Sequence, residues 1–91
     1  MQKILIVEDE PDLLMGLKDN LEYEGYRVAT ATDGLSALSA VQREAPHLMV
    51  LDLMLPKLDG YEVCRRLRNR QIDIPIIILT AKSQEVDKVL G

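Results

Sequence analysis

The stretch LMVLDL at residues 48–53 decides the fold, because it is apolar throughout except for Asp52. A short apolar run bounded by polar segments predicts a strand covered on both faces, as in a parallel sheet. Comparable runs lie at residues 3–7, 27–31 and 74–80. The run at 27–31 mixes polar and apolar residues, which is typical of an edge strand.

Helix-like stretches separate these runs and carry recognisable start and stop residues, such as proline in a first turn, aspartate as a cap and glycine as a stop. Strands alternating with helices indicate an α/β protein built on a parallel sheet. The predicted helix boundaries are Pro11 to Glu24 with Gly25 as the stop, Asp33 to the residue before Pro46, Asp59 to Arg70, and a fourth start near Ser83.

Composition limits the classes of function. The 91 residues, of which 47% are hydrophobic, suffice for one small domain. A net charge of -4 repels polyanions, so we expect no direct contact with nucleic acid. Cys64 is the single cysteine, which favours a reducing, cytoplasmic location. No apolar run approaches the roughly 20 residues that span a bilayer, so no membrane contact is expected.

Acidic and hydroxyl side chains follow three of the apolar runs. Glu8 and Asp9 come after the first, Asp52 ends the third, and Thr80 ends the fourth. Ligands of open parallel sheets collect at the carboxyl ends of the strands, so these residues should converge. Carboxylates held close together either have raised pKa values or require a cation, and Mg²⁺ suits oxygen ligands. Glu8 and Asp9 alone could equally be an ordinary acidic helix start facing water.

Three stretches together resemble the signature segments of response-regulator receiver domains in two-component signalling. They are KILIVEDE at 3–10, LDLMLPKLDG at 51–60 and PIIILTA at 75–81. The resemblance covers the whole chain and keeps the family's order. It implies a flavodoxin-like, doubly wound parallel sheet with strand order 2-1-3-4.

The resemblance also implies a role for each acidic residue. Asp52 would be the phosphoacceptor, and Mg²⁺ would be the cofactor. Asp9 and Asp52 would bind Mg²⁺ directly, Glu8 would contact it directly or through water, and the main-chain carbonyl of Met54 would complete the ligands from the protein. The resemblance implies that the domain would assist its own phosphorylation and dephosphorylation. It would not be an enzyme that acts on other molecules.

The implied partner is a sensor histidine kinase that supplies the phosphoryl group. Thr80 would be the switch hydroxyl that moves toward the phosphoryl oxygens, and the backbone amide of Ala81 would contact them. The resulting change of conformation would control an output domain. The similarity is strongest to regulators whose output domain is a winged-helix DNA-binding domain that regulates transcription.

The family pattern continues beyond this sequence with a fifth strand, which carries a lysine that contacts the phosphate, and a fifth helix. We therefore expect residues 1–91 to be a receiver domain that is incomplete at the C-terminus and lacks both elements. Strand four would then be an open apolar edge. This predicts self-association through the strand-four and helix-four region.

The sequence disfavours two of three alternative functions and leaves the third open. A haloacid-dehalogenase-like phosphatase would carry a second aspartate two residues after the nucleophile, where this chain has Met54. A dinucleotide-binding domain would have a glycine-rich turn after the first strand, where this chain has EDEP at residues 8–11. A non-phosphorylated interaction module on the same fold remains open.

Overall fold

The computed structural model describes residues 2–79 and 86–90. Strands and helices alternate from β1 to β4, as the apolar runs predict. No helix within these ranges is long and apolar enough to cross a bilayer. The elements are β1 (Lys3–Val7), α1 (Pro11–Tyr23), β2 (Arg27–Ala31), α2 (Gly34–Glu44), β3 (Leu48–Asp52), α3 (Gly60–Asn69), β4 (Ile76–Leu79) and β5 (Val86–Leu90).

The sheet has the strand order β2-β1-β3-β4-β5, and its first four strands are parallel. This confirms the predicted order 2-1-3-4 and the place of β2 at an edge. Val7 pairs with Leu51, and Asp52 pairs with Leu79. The carboxyl ends of β1, β3 and β4 therefore lie along one edge of the sheet.

The fifth strand was not predicted. Residues 86–90 were expected within a fourth helix, and that prediction is wrong, because β5 pairs with β4 in antiparallel orientation. Valines favour strands, and pairing satisfies backbone groups that an edge strand would leave exposed. The open β4 edge, on which the expected self-association depended, is therefore covered. Self-association itself stays a prediction.

The core lies between the sheet and the pair α2 and α3. Its largest fully buried side chains, each 0% exposed, are Leu5, Met49, Leu51, Val63, Leu67 and Ile76. On the opposite face of the sheet, α1 packs on β1 and β2, so β3 and β4 are covered less completely there. Val50 and Ile77 are consequently only half-buried on that face. The core thus supports the sheet mainly from one side.

Aspartate side chains cap the starts of α2 and α3, and a glycine follows the end of α1, as predicted. The Asp33 carboxylate accepts a hydrogen bond from the backbone of Ser36 at 2.8 Å, and the Asp59 carboxylate accepts one from the backbone of Glu62 at 2.9 Å. Gly25, just after α1, has a φ of 100°, which glycine adopts at little cost. These local contacts fix where α2 and α3 begin at the sheet.

Candidate metal centre

The predicted acidic residues meet at the carboxyl edge of the sheet. Glu8 and Asp9 directly follow β1, and Asp52 is the last residue of the neighbouring strand β3. One carboxylate oxygen from each of the three lies within 4.8 Å of the others. The convergence expected from the parallel strands is therefore present. We refer to Glu8, Asp9 and Asp52 as the acidic trio.

Two members of the acidic trio are buried. Glu8 is 3% exposed and Asp52 is 8% exposed, whereas Asp9 is exposed. Burial raises the pKa of Glu8, and the neighbouring carboxylates of Asp52 and Asp9 add to this effect, although a backbone hydrogen bond from Glu10 opposes it. Buried carboxylates in such proximity are costly unless a cation balances them.

The described part of the chain supplies no such cation. None of the ion pairs formed by its lysines and arginines involves the acidic trio. The nearby Lys57 instead pairs with Asp33, at 3.8 Å between Nζ and Oδ2. The negative charge at the edge of the sheet is thus not balanced by basic side chains in residues 2–79.

Backbone amides orient the two buried carboxylates. The N–H of Glu10 donates to Oε2 of Glu8 at 2.9 Å, and the N–H of Met54 donates to Oδ1 of Asp52 at 3.1 Å. Each bond uses one carboxylate oxygen and leaves lone pairs for a further partner. Met54, the predicted carbonyl ligand, therefore belongs to the same turn as Asp52.

The donor set suits a hard divalent cation. Three carboxylates offer oxygen ligands only, with neither nitrogen nor sulfur from histidine or cysteine. Mg²⁺ binds through one or two carboxylates together with waters and phosphate oxygens, so it would leave coordination positions for a phosphoryl group. The residues present fit Mg²⁺ by number, charge and proximity.

The acidic trio lies in an open pocket with apolar neighbours. Leu13 and Leu17 of α1 and Leu79 at the end of β4 line this pocket beside the carboxylates. Apolar walls reduce the water around a charge and strengthen its interaction with a bound cation. The pocket is open to solvent at Asp9 and large enough to admit a small phosphorylated group or the side chain of another protein.

Gly60, which is not among the predicted site residues, brings α3 against the end of β3. A Cβ at this position would lie 2.8 Å from the carbonyl oxygen of Asp52 and 2.8 Å from the Cα of Leu53. The Gly60 N–H donates to the Leu53 carbonyl at 2.9 Å. In the sequence, the available signal was a glycine directly after the cap residue Asp59. The requirement for glycine is visible only in the fold, where the start of α3 lies against the end of β3.

Two predicted site residues, Thr80 and Ala81, lie outside the described residues. They follow Leu79 in sequence, and Leu79 pairs with Asp52. Their roles as switch hydroxyl and phosphate-contacting amide stay predictions.

Comparison by sequence finds a matching family. A family model described as the response regulator receiver domain matches residues 4–90. The alkaline phosphatase synthesis transcriptional regulatory protein PhoP of Bacillus subtilis is 54% identical over 90 residues, which is 99% of this chain and 38% of PhoP. The chain thus spans little more than a third of the length of this relative.

Comparison by structure gives the same result. The receiver domain of the Francisella response regulator 1452 superposes with a TM-score of 0.86 at 31% identity, over 91% of this chain and 69% of that one. The response regulator TrrA from Thermotoga maritima, in complex with Mg²⁺-BeF, gives a TM-score of 0.84 at 40% identity, over 91% and 72% of the two chains.

Proposed function

This chain belongs to the response regulator receiver domains, and we propose that it accepts a phosphoryl group on Asp52. The observation that carries the proposal is the acidic trio, in which Asp52 is buried at the edge of the sheet and close to two further carboxylates. A structural role alone does not account for three adjacent carboxylates without a basic partner in the described chain.

The proposed reaction is transfer from a phosphohistidine of a sensor histidine kinase. The free oxygen of the Asp52 carboxylate attacks phosphorus, a P–O bond forms, and the P–N bond breaks with its electron pair passing to the imidazole nitrogen. The Met54 N–H donates a hydrogen bond to Oδ1 of Asp52 at 3.1 Å, and this bond holds the carboxylate in one orientation during the transfer. The domain is accordingly a phosphoacceptor that assists its own reaction rather than an enzyme acting on others.

Mg²⁺ is the proposed cofactor, and it would balance the charge that develops on the phosphoryl oxygens. Asp9, Asp52, Glu8 and the Met54 carbonyl are its proposed ligands. The complex of TrrA with Mg²⁺-BeF supports this choice, because that relative is 40% identical to the chain over the matching region. Among these proposed ligands, the Asp9 side chain is exposed to solvent, whereas Glu8 and Asp52 are buried.

Phosphorylation of Asp52 would be followed by a change of conformation. The Thr80 hydroxyl and the Ala81 amide would move onto the phosphoryl oxygens and favour a second conformation. That change would act on an output domain, and the similarity to the transcriptional regulatory protein PhoP supports a DNA-binding one. A cytoplasmic location completes the proposal and agrees with the single, unpaired cysteine.

The test is phosphorylation by acetyl phosphate, followed by intact-mass spectrometry. We expect the wild-type chain to gain the mass of one phosphoryl group in the presence of Mg²⁺ and not in the presence of EDTA. Asp52→Asn removes the nucleophile and keeps the shape, so it should gain none. Incorporation that is undiminished in this variant would contradict the proposal. A folded wild-type chain that gains no mass would favour the non-phosphorylated interaction module.

A further inference from the structure

The first residue of α2, Gly34, lies unusually close to the loop between β3 and α3. A Cβ at this position would stand 2.6 Å from the Cβ of Leu58 and 2.7 Å from its carbonyl carbon, and it would overlap the Leu58 carbonyl oxygen. Gly34 is not among the residues with a positive φ. Close approach, rather than backbone conformation, therefore requires glycine here.

Two polar contacts join the same surfaces. The Gly34 N–H donates to the carbonyl of Pro56 at 3.4 Å. The neighbouring Asp33, which caps α2, approaches Nζ of Lys57 to 3.8 Å with its Oδ2 atom. Lys57 has a φ of 69°, so the loop is sharply folded at the point of contact. The start of α2 thus touches three consecutive residues of the loop.

The opposite end of this loop bears on the acidic trio. Met54 donates its N–H to Asp52, and Gly60 donates its N–H to the carbonyl of Leu53. Only a few residues separate these bonds from the segment 56–58 that Gly34 contacts. A displacement of 56–58 would therefore alter the path of the chain at Met54, since both ends of the loop are anchored to the sheet and to α3.

We propose that Gly34 is a positioning residue for the phosphoacceptor site, with Asp33 in support. It lets α2 approach residues 56–58, and this contact holds Met54 beside Asp52. The inference rests on the proposed function in so far as Met54 and Asp52 bind Mg²⁺. Gly34 itself touches neither the acidic trio nor a substrate, so its effect would pass through the loop.

The test compares Gly34→Ala with Gly16→Ala. Gly16 lies in α1, and an added Cβ there would meet nothing within 4 Å, so it controls for the general effect of replacing glycine by alanine. Binding of Mg²⁺ alone is followed through backbone amide signals by NMR at a temperature where all variants are folded. Hydrogen exchange of the Met54 amide is measured without metal.

We expect Gly34→Ala to weaken Mg²⁺ binding by about 10-fold, the loss found when residues that orient metal ligands are replaced. Hydrogen exchange of the Met54 amide should be faster in Gly34→Ala than in Gly16→Ala. Hydrogen exchange of the central amides of β1 should be the same in the two variants. A purely structural role would instead affect both sets of amides and leave the affinity of the folded protein unchanged. Equal affinity and equal Met54 exchange in the two variants would overturn the inference.

A milder pair of substitutions serves if Gly34→Ala does not fold. Asp33→Asn keeps a good cap, and Lys57→Met keeps the aliphatic stem, but each removes the ion pair. The effects on Met54 exchange should be non-additive in the double variant, and additive effects would contradict the proposal. If the wild type neither binds Mg²⁺ nor accepts phosphate, the proposed function fails, whereas Met54 exchange still decides the role of Gly34.

Discussion

Replacing Glu8 by glutamine should stabilise the metal-free protein at neutral pH while weakening its response to Mg²⁺. Glutamine keeps the size of the side chain and an oxygen that can accept the hydrogen bond from the Glu10 amide. It removes one of three negative charges in the acidic trio, and with it two of the three repulsive pairs. The buried position of Glu8 makes this charge the most costly of the three to keep.

The distance between the carboxylates sets the size of the effect. The carboxylate oxygens lie within 4.8 Å of one another, and two charges at this limit repel by about 0.9 kcal/mol at the dielectric constant of water and by about 3.5 kcal/mol at an effective value of 20. We therefore expect a gain of about 1 to 2 kcal/mol in the free energy of unfolding at pH 7, because Asp9 is exposed and partly screened. In a domain of this size, that corresponds to a rise in Tm of about 5 to 10 °C.

The gain should depend on pH in a defined direction. Because the pKa of Glu8 is raised above its ordinary value of 4.5, the folded state holds this proton more tightly than the unfolded chain does. The resulting stability is complete below pH 4.5 and is lost as the pH rises through the folded-state pKa. The variant has no such proton, so its advantage over the wild type should grow as the pH rises and vanish in acid.

Thermal melts followed by circular dichroism, with EDTA or with Mg²⁺, measure both effects. The control is Asp19→Asn on the exposed surface of α1, which removes the same charge away from the site. Saturating Mg²⁺ should raise the Tm of the wild type and of the control by more than that of Glu8→Gln. A metal-free Glu8→Gln protein that is less stable than the wild type at pH 7 would refute the reasoning about repulsion.

Three further substitutions test the fold around the site. Leu67→Ala should lower the free energy of unfolding by about 2 to 5 kcal/mol in urea titrations, because this side chain is 0% exposed in the core; a smaller loss would show that the core closes around the gap. Gly60→Ala should cost about 1 to 3 kcal/mol in the same assay, because its Cβ would press on the carbonyl of Asp52. Asp33→Ala should lower the Tm at pH 7, because the Ser36 amide holds the pKa of the Asp33 carboxyl below its ordinary value. The loss of Tm should shrink as the pH falls through the pKa of the folded state, and a loss that does not change with pH would contradict this cause.

The parallel sheet and the convergence of the acidic trio could be predicted because both follow from local patterns. Apolar runs such as 48–53 define strands without reference to the rest of the chain, and parallel strands bring their carboxyl ends to one edge. The caps Asp33 and Asp59 act on amides three residues away, so their role is also visible in sequence. Asp52 could be singled out because it is the one charge within the apolar run 48–53.

The remaining features depend on contacts between distant segments. Val86, Val89 and Leu90 fit a helical face as well as a strand, and pairing with β4 decides between the two. The need for glycine at Gly34 and Gly60 arises where a helix end meets the loop after β3, which no local pattern records. Tertiary packing therefore determines both the outer edge of the sheet and the details of the loop beside Asp52.

The central claim is that the Asp52 carboxylate itself carries the phosphoryl group, and its chemistry allows a direct measurement. An acyl phosphate, unlike a phosphate ester or a free carboxylate, is reduced by borohydride to an alcohol. The chain is treated with acetyl phosphate and Mg²⁺, reduced, digested and mapped by tandem mass spectrometry. We expect homoserine in place of Asp52, with Glu8 and Asp9 unchanged and no conversion in EDTA. Conversion at another carboxylate, with Asp52 intact, would contradict it.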